Sequence, residues 1–372
     1  MAAQFDYAIA GGGLQGGLIA LAIRARQPTA RIALVERGQS LGGNHTWCFH
    51  AGDVPEGASW IEPLVVARWP GYDVAFPGRR RRLETPYAHI TSARLDACVR
   101  GVVDELVLGE SATRIEPHRI ALPGRDLGAT VVIDARGPER TAAPRCGWQT
   151  FVGQELEVPG HGLELPIVMD ATVAQRGALT FMYALPLTPD VLLLEDTAFA
   201  DSSFLDVAAG RRAIADYAAA RGWTLGRVLR EETGVLPLPL EMEPPAPTPP
   251  LVAGYAGGWF HPVTGYSFPI AARLADLIAA RPPSTLFGRE LSELARAHRA
   301  QLTFAMRLNR MLFGWFRPVD RYHVLERFYG LPEEVIRRFY ALQTTALDRA
   351  RIIAGKPPHG LSLRAALGRR SP

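Results

Sequence analysis

The residues best suited to chemistry sit at the end of an apolar run. Val191-Leu-Leu-Leu194 leads directly into Glu195-Asp196-Thr197. Placing carboxylates at the end of a greasy strand costs free energy unless they are paired, exposed or put to use. Burial raises a carboxyl pKa and a nearby like charge raises it further, so such a group can stay protonated near neutral pH and donate a proton. Strand neighbours point to opposite faces, so Glu195 and Asp196 should not share one cavity. Asp170, within Pro-Ile-Val-Met-Asp-Ala-Thr, is a rival buried acid. For both acids the bland reading is a salt-bridged or turn-bonded carboxylate. There is no GxSxG, no HExxH and no histidine pair at ligand spacing. Cys48, Cys98 and Cys146 form no CxxC, so neither a disulfide scaffold nor a metal centre is expected.

The elements that would position these groups begin with a nucleotide signature. Asp6–Ala10 reads as a buried strand running into Gly11-Gly-Gly-Leu-Gln-Gly16 and an apolar helical stretch, LIALAIRAR. In this G-x-G-x-x-G, Gly11 makes the tight turn, Gly13 admits a pyrophosphate and Gly16 lets helix and strand pack; the helix N-terminus offers free N–H groups. A second strand, 31–35, ends in Glu36, suited to a ribose hydroxyl pair. Gly42-Gly43 adds another turn where backbone can approach a ligand. That second pair points to FAD rather than NAD alone, because the adenine-to-flavin span needs several chain segments. Val131–Ile133 ends in Asp134, and Leu251–Ala253 ends in Gly254. The latter precedes Gly257-Gly-Trp-Phe-His261-Pro-Val-Thr264-Gly265-Tyr266-Ser and an apolar helix from near Pro269, a second anion or carbonyl site. His261 is equally readable as a turn residue or as a reactive one.

These pieces imply an α/β protein: a discontinuous Rossmann-like nucleotide-binding domain (1–75, 92–150, 249–283), a β-rich substrate domain (76–91, 151–248) and a helical segment (284–372). Within the second, strands are expected over 162–172, 179–187 and 191–197, and a helix over 206–221. Glu243–Pro250 is a proline-rich crossing back to the first domain. The 372 residues carry a net charge of +4, but from Arg299 onward the balance is +9, against −5 before it. That basic end suits an anionic lipid surface better than nucleic acid, since no zinc-finger or RNP pattern accompanies it or the Arg79–Arg82 cluster. Phe304, Leu308, Met311, Leu312 and Trp315 form one helical stripe, readable as core or as a face lying in a bilayer interface. No apolar run reaches the roughly 18 residues that span a bilayer, and the N-terminus lacks the basic region of a signal peptide. From pattern alone, hydroxylation, dehydrogenation and acid–base chemistry all stay open.

Six motifs in order carry a resemblance: Gly42-Gly-Asn-His-Thr-Trp47, Trp60-Ile-Glu-Pro-Leu-Val-Val66, Leu194-Glu-Asp-Thr197, His261-Pro-Val-Thr-Gly-Tyr-Ser267, Arg310-Met-Leu-Phe313 and Arg327-Phe-Tyr-Gly-Leu-Pro332. Together they resemble the bacterial lycopene β-cyclases, FAD-dependent carotenoid cyclases of the GR2-type flavoprotein fold. The resemblance implies non-covalent FAD, active when reduced, with NADPH as the reductant and no net redox change. It implies an intramolecular lyase (isomerase) that closes the ends of lycopene through γ-carotene to β-carotene, working peripherally at the cytoplasmic side of a membrane. Other acyclic carotenoid ends are candidate substrates, and other enzymes of the pathway are candidate partners. Glu195 matches the family's catalytic acid, which protonates the terminal alkene; attack by the 5,6 double bond closes the ring, and loss of the carbon-6 proton completes it. Whether Glu195 or the flavin removes that proton stays open. Gly11, Gly13, Gly16, Glu36, Gly43, Asp134, Gly254, Thr264 and Gly265 are the cofactor candidates. His45, Trp47, Phe181, Tyr183, His261 and Tyr266 are the pocket candidates. The competing class is an FAD-dependent monooxygenase or dehydrogenase acting on a lipophilic substrate.

Overall fold

The computed structural model describes residues 4–137 and 145–362; the last ten residues of the expected helical segment lie outside them. The nucleotide half is a parallel sheet in the order Glu105–Leu108, Ile32–Glu36, Phe5–Ala10, Arg125–Asp134, Leu251–Val252. Its first strand is buried on both sides, which is why it reads as continuously apolar. Tyr7 and Ile9 pack under the helices Leu14–Arg26 and Phe268–Ala279. Ala8 and Ala10 face the antiparallel Arg114–Glu116 and Arg119–Leu122 strands, whose cluster is rich in alanine and so permits close approach. This is a Rossmann-like α/β arrangement.

The second sheet has seven strands in the order Val228–Pro239, Cys146–Glu157, Val191–Ala200, Leu179–Thr188, Ile167–Asp170, Tyr72–Phe76, Arg79–Leu83. It takes in all of Tyr72–Phe76 and Cys146–Glu157, so the two halves divide near 71 and 145 rather than at 75 and 150. No regular strand covers 162–166, where Gly162 has φ +66° and Pro166 lacks a ladder donor. One face of this sheet packs Leu192, Leu194, Val152 and Met182 against the helix Val207–Ala220. Each such apolar side chain contributes about 1.5–3 kcal/mol on burial. Asp206 caps that helix by accepting the Ala209 N–H at 2.9 Å. The opposite face meets a three-stranded sheet (Thr46–His50, Tyr87–Thr91, Ala67–Trp69) and the C-terminal helices.

The long helix Arg289–Trp315 turns Leu291, Ala295, His298, Leu302, Ala305, Asn309 and Leu312 inward. This face only partly matches the expected stripe: Phe304 and Leu312 are buried, whereas Leu308, Met311 and Trp315 are half-buried. Apolar periodicity misses the true face because fully buried Asn309 lies on it, donating to Pro239 O at 2.9 Å and Pro262 O at 2.7 Å. Part of the basic charge at this end is structural. Arg321 is buried against Asp201 (2.6 Å), Arg338 pairs with Asp348, and Arg327 donates to Ile352 O. In the Arg79–Arg82 cluster, Arg81 donates to Tyr329 O (2.9 Å) and Leu331 O, and Arg82 pairs with Asp73.

Candidate active site

At the nucleotide turn Gly11 adopts φ +102°, and a Cβ there would lie 2.4 Å from Ala135 O. A Cβ on Gly16 would lie 2.0 Å from Gly11 O, so helix and strand touch through backbone. Gly13 has open space where a side chain would be. The helix that follows has no side-chain cap and no acid in its first turn, which leaves its N–H groups and positive dipole end available to an anion. Gln15 Oε1 is buried there without a partner, and Gly254 (φ +62°) lies against the Gln15 side chain. Glu36 closes the turn by accepting from Gly12 N (2.8 Å) and Gly38 N (2.9 Å). Asp134 is held by Arg136. Gly42 N donates to Gly12 O at 2.9 Å, fastening the second glycine pair to the first; Gly43 (φ +63°) is exposed. In the late turn, Gly265 (φ +65°) accepts a short hydrogen bond from Tyr255 Oη, and Thr264 Oγ1 accepts from Tyr266 N.

His261 lies inside this turn, 1% exposed. Its Nδ1 accepts from Val263 N and its Nε2 meets Phe339 O at 3.1 Å. Burial pushes its pKa down to about 3, so it is a neutral ring whose nitrogens are both engaged by backbone. His45 is exposed and Trp47 half-buried, with ring centroids 6.0 Å apart.

The acid end is built from strand register. Glu195 pairs across the sheet with Tyr183 on one side and Gly153 on the other, and Gly153 pairs with Glu232. Directly paired residues share a face, so Tyr183, Glu195, Gly153 and Glu232 form one row. A Cβ on Gly153 would lie 3.3 Å from both Glu195 Oε2 and Glu232 Cγ. Thr197 Oγ1 donates to Glu195 Oε1 at 2.6 Å. Burial first, then Glu232, push Glu195 up to about 8, with a lesser push from Asp196, against pulls from Thr197 and Arg230. Asp196 faces the other way and pairs with Arg176 at 2.6 Å. Asp170 accepts from Thr172, Tyr217 and Arg221; these bonds outweigh its burial and hold it below the usual carboxylate range, which makes it a structural anion.

Phe181 stacks edge-on with Tyr183 (5.4 Å) and Phe199 (5.7 Å) on the same face as Glu195. Beyond Tyr183, His50 is ringed by Tyr72, Tyr87, Tyr266 and Tyr340 at 5.0–6.1 Å. Tyr266 donates to Asp53, whose other oxygen has no partner. Burial raises the pKa of each of these tyrosines, so they are neutral phenols. Cys48 is pushed up to about 12, chiefly by burial. His89, buried with neither ring nitrogen partnered, is pushed down to about 4 by burial and by Arg230. Sequence reasoning missed Gly153, Arg230, Glu232, His50 and the tyrosines at 72, 87 and 340. The strand residues among them are brought in by cross-strand register and Tyr340 by the packing of helix Glu333–Tyr340, neither of which one sequence reveals.

The nucleotide and acid ends are physically joined. Thr46 N, in the Gly42–Trp47 motif, donates to Glu232 Oε2 at 2.9 Å, and Arg230 bonds Glu232, Glu155, Asn44 and Thr46.

The family described as lycopene cyclase protein matches residues 6–366. Relatives include a lycopene beta-cyclase of Pseudescherichia vulneris, 43% identical with 97% of each chain covered. Another, from Pantoea ananas, is 42% identical with 96% of each covered. Among solved structures, a geranylgeranyl bacteriochlorophyll reductase-like protein of Thermoplasma acidophilum shares the fold at TM-score 0.62 and 12% identity, covering 95% of this chain and 97% of its own. A flavin-dependent brominase does so at TM-score 0.64 and 13% identity, covering 94% and 97%. The motifs, the acid strand and a family match spanning nearly all of the sequence agree: this chain belongs to the lycopene cyclase family.

Proposed function

We propose that this protein is a lycopene β-cyclase in which Glu195, as the neutral acid, starts ring closure. The observation that carries the reading is a carboxyl raised to about 8 on an apolar strand, beside Phe181 and Tyr183. Glu195 gives its proton to the terminal alkene, so a C–H bond forms and carbon 1 becomes a tertiary cation. The 5,6 π bond attacks carbon 1, moving the charge to carbon 5. Loss of the carbon-6 proton restores a double bond, leaving the substrate's composition unchanged. Aromatic faces are suited to attract such a cation, and dry walls keep water from trapping it. The glycine turn, the uncapped helix and the unpartnered Gln15 Oε1 fit FAD, with Gly11, Gly13, Gly16, Glu36, Gly43, Asp134, Gly254, Thr264 and Gly265 to hold it. Bound reduced FAD, with NADPH as reductant, would supply electron density that stabilises positive charge.

A substrate dissolved in lipid calls for a peripheral membrane contact. No helix among the described residues is long and apolar enough to cross a membrane. Support for a surface contact comes from a groove of about 550 Å³ between the long helix and Ala346–Ile353, lined by Phe304, Arg307, Arg349 and Ile353, near exposed Leu347. Expression in cells that accumulate lycopene tests the activity: a cyclised pigment of unchanged mass is expected, whereas an added oxygen would mark a monooxygenase instead.

A further inference from the structure

Glu232 is a costly residue that acid catalysis by Glu195 alone does not explain. It is 4% exposed and shares the face of Glu195, with the strand of Gly153 between them. Two donors, Thr46 N at 2.9 Å and Arg230 Nη1 at 3.0 Å, converge on its Oε2. Those two bonds fix the position of its carboxyl. Arg230 divides itself between Glu155 and Glu232, and among the described residues Glu195 has no cation within 4.0 Å. Gly153 stands between the two side chains, so none intervenes, and Glu195 Oε2 and Glu232 Cγ each lie 3.3 Å from where a Gly153 Cβ would be.

We propose that Glu232 is a positioning residue for proton transfer: its tethered carboxylate acts across the Gly153 gap to keep the proton on Glu195 until substrate takes it. The inference rests on the reading of Glu195 as the acid. Two nearby carboxyls cannot both ionise cheaply, so one holds a proton while the other stays charged. Here the donors decide which: Glu232 has the N–H groups, and Glu195 has only the Thr197 hydroxyl. The same repulsion makes ionised Glu195 avid for a proton, which suits it to take back the one leaving carbon 6. The tether also runs through Thr46 and Asn44, in the loop fastened to the glycine turn. Of the remaining groups near Glu195, Asp196 adds a smaller push from behind the sheet, where it is paired to Arg176, and Cys48 and Tyr183 are neutral.

The test is the pH–rate profile of the full-length protein with FAD, a reductant and lycopene in phospholipid vesicles, compared for wild type, Glu232→Gln and Glu232→Asp. Glutamine keeps an oxygen for Thr46 and Arg230 but removes the charge. The alkaline fall in activity should move to lower pH by roughly one to two units, with kcat at acidic pH kept within a few-fold, while aspartate should largely restore the wild-type profile. Infrared titration of the carboxylic C=O band that disappears in Glu195→Gln should show the same displacement without any turnover. If Glu232→Gln fails to fold, Gly153→Ala replaces it: a methyl between the carboxyls should hold or raise the alkaline limb, and a lowered limb overturns the proposal. An unmoved limb and band in Glu232→Gln, with Glu195→Gln inactive, would sink the role of Glu232 alone. Full activity in Glu195→Gln would sink the acid assignment beneath it.

Discussion

Replacing Glu195 by glutamine should cost activity and yet stabilise the protein, by an amount that depends on pH. The folded carboxyl titrates at about 8 against an ordinary value of 4.5. Between those two values the native state holds a proton that the unfolded chain has released, so stability falls as pH rises through this window. At pH 7 a group of pKa 8 is roughly nine-tenths protonated, whereas one at the ordinary value is about 0.3% protonated. That ratio is the gain in usable acid from the site. The matching stability cost approaches about 5 kcal/mol once pH exceeds the folded pKa. Glu195 is only half-buried and solvent relaxes part of this, so about 2–4 kcal/mol is the expectation. Glutamine removes the ionisation but keeps an oxygen for Thr197, so the variant should match wild type near pH 4.5 and exceed it increasingly toward pH 8. Urea unfolding at pH 5, 6.5 and 8 measures this. A difference that stays constant with pH, or a variant less stable at pH 8, would refute the reasoning.

Other substitutions separate the remaining parts of the account. Gly16→Ala would push a methyl into Gly11 O and should abolish flavin retention, read as loss of bound-flavin absorbance, with the helical circular-dichroism signal largely intact. Asn309→Leu would leave the Pro239 and Pro262 carbonyls unpaired; a loss of about 2–4 kcal/mol is expected in the same urea assay. Leu347→Glu with Ile353→Glu should weaken flotation with anionic liposomes several-fold, and unchanged flotation would remove this groove from any membrane contact.

The nucleotide half was legible because its signals are local. A strand, three glycines at fixed spacing, a helix and Glu36 follow one another within 36 residues, and each does its work against near neighbours. Glu195 was legible as an anomaly, an acid on an apolar strand, and alternation correctly separated it from Asp196. The surroundings that raise its pKa were not legible. Glu232 looks like any charge in Arg230-Glu-Glu232, and only its pairing through Gly153 to Glu195 brings it to the site. The ring of tyrosines around His50 comes from segments near 50, 72, 87, 266 and 340, which no local pattern joins. The inward face of the long helix was hidden by a polar residue, Asn309, and the basic surplus concealed arginines such as Arg321 that are ties rather than surface.

Pigment analysis of wild type, Glu195→Gln and Asp196→Asn in lycopene-accumulating cells addresses the central claim most directly. The wild-type protein should convert lycopene to ring-closed product of the same mass, and Asp196→Asn, on the far side of the sheet, should retain most of that conversion. Glu195→Gln should lose about 10²–10⁴-fold in rate while still binding flavin. Ring-closed pigment at wild-type yield from the Glu195→Gln protein would contradict the account.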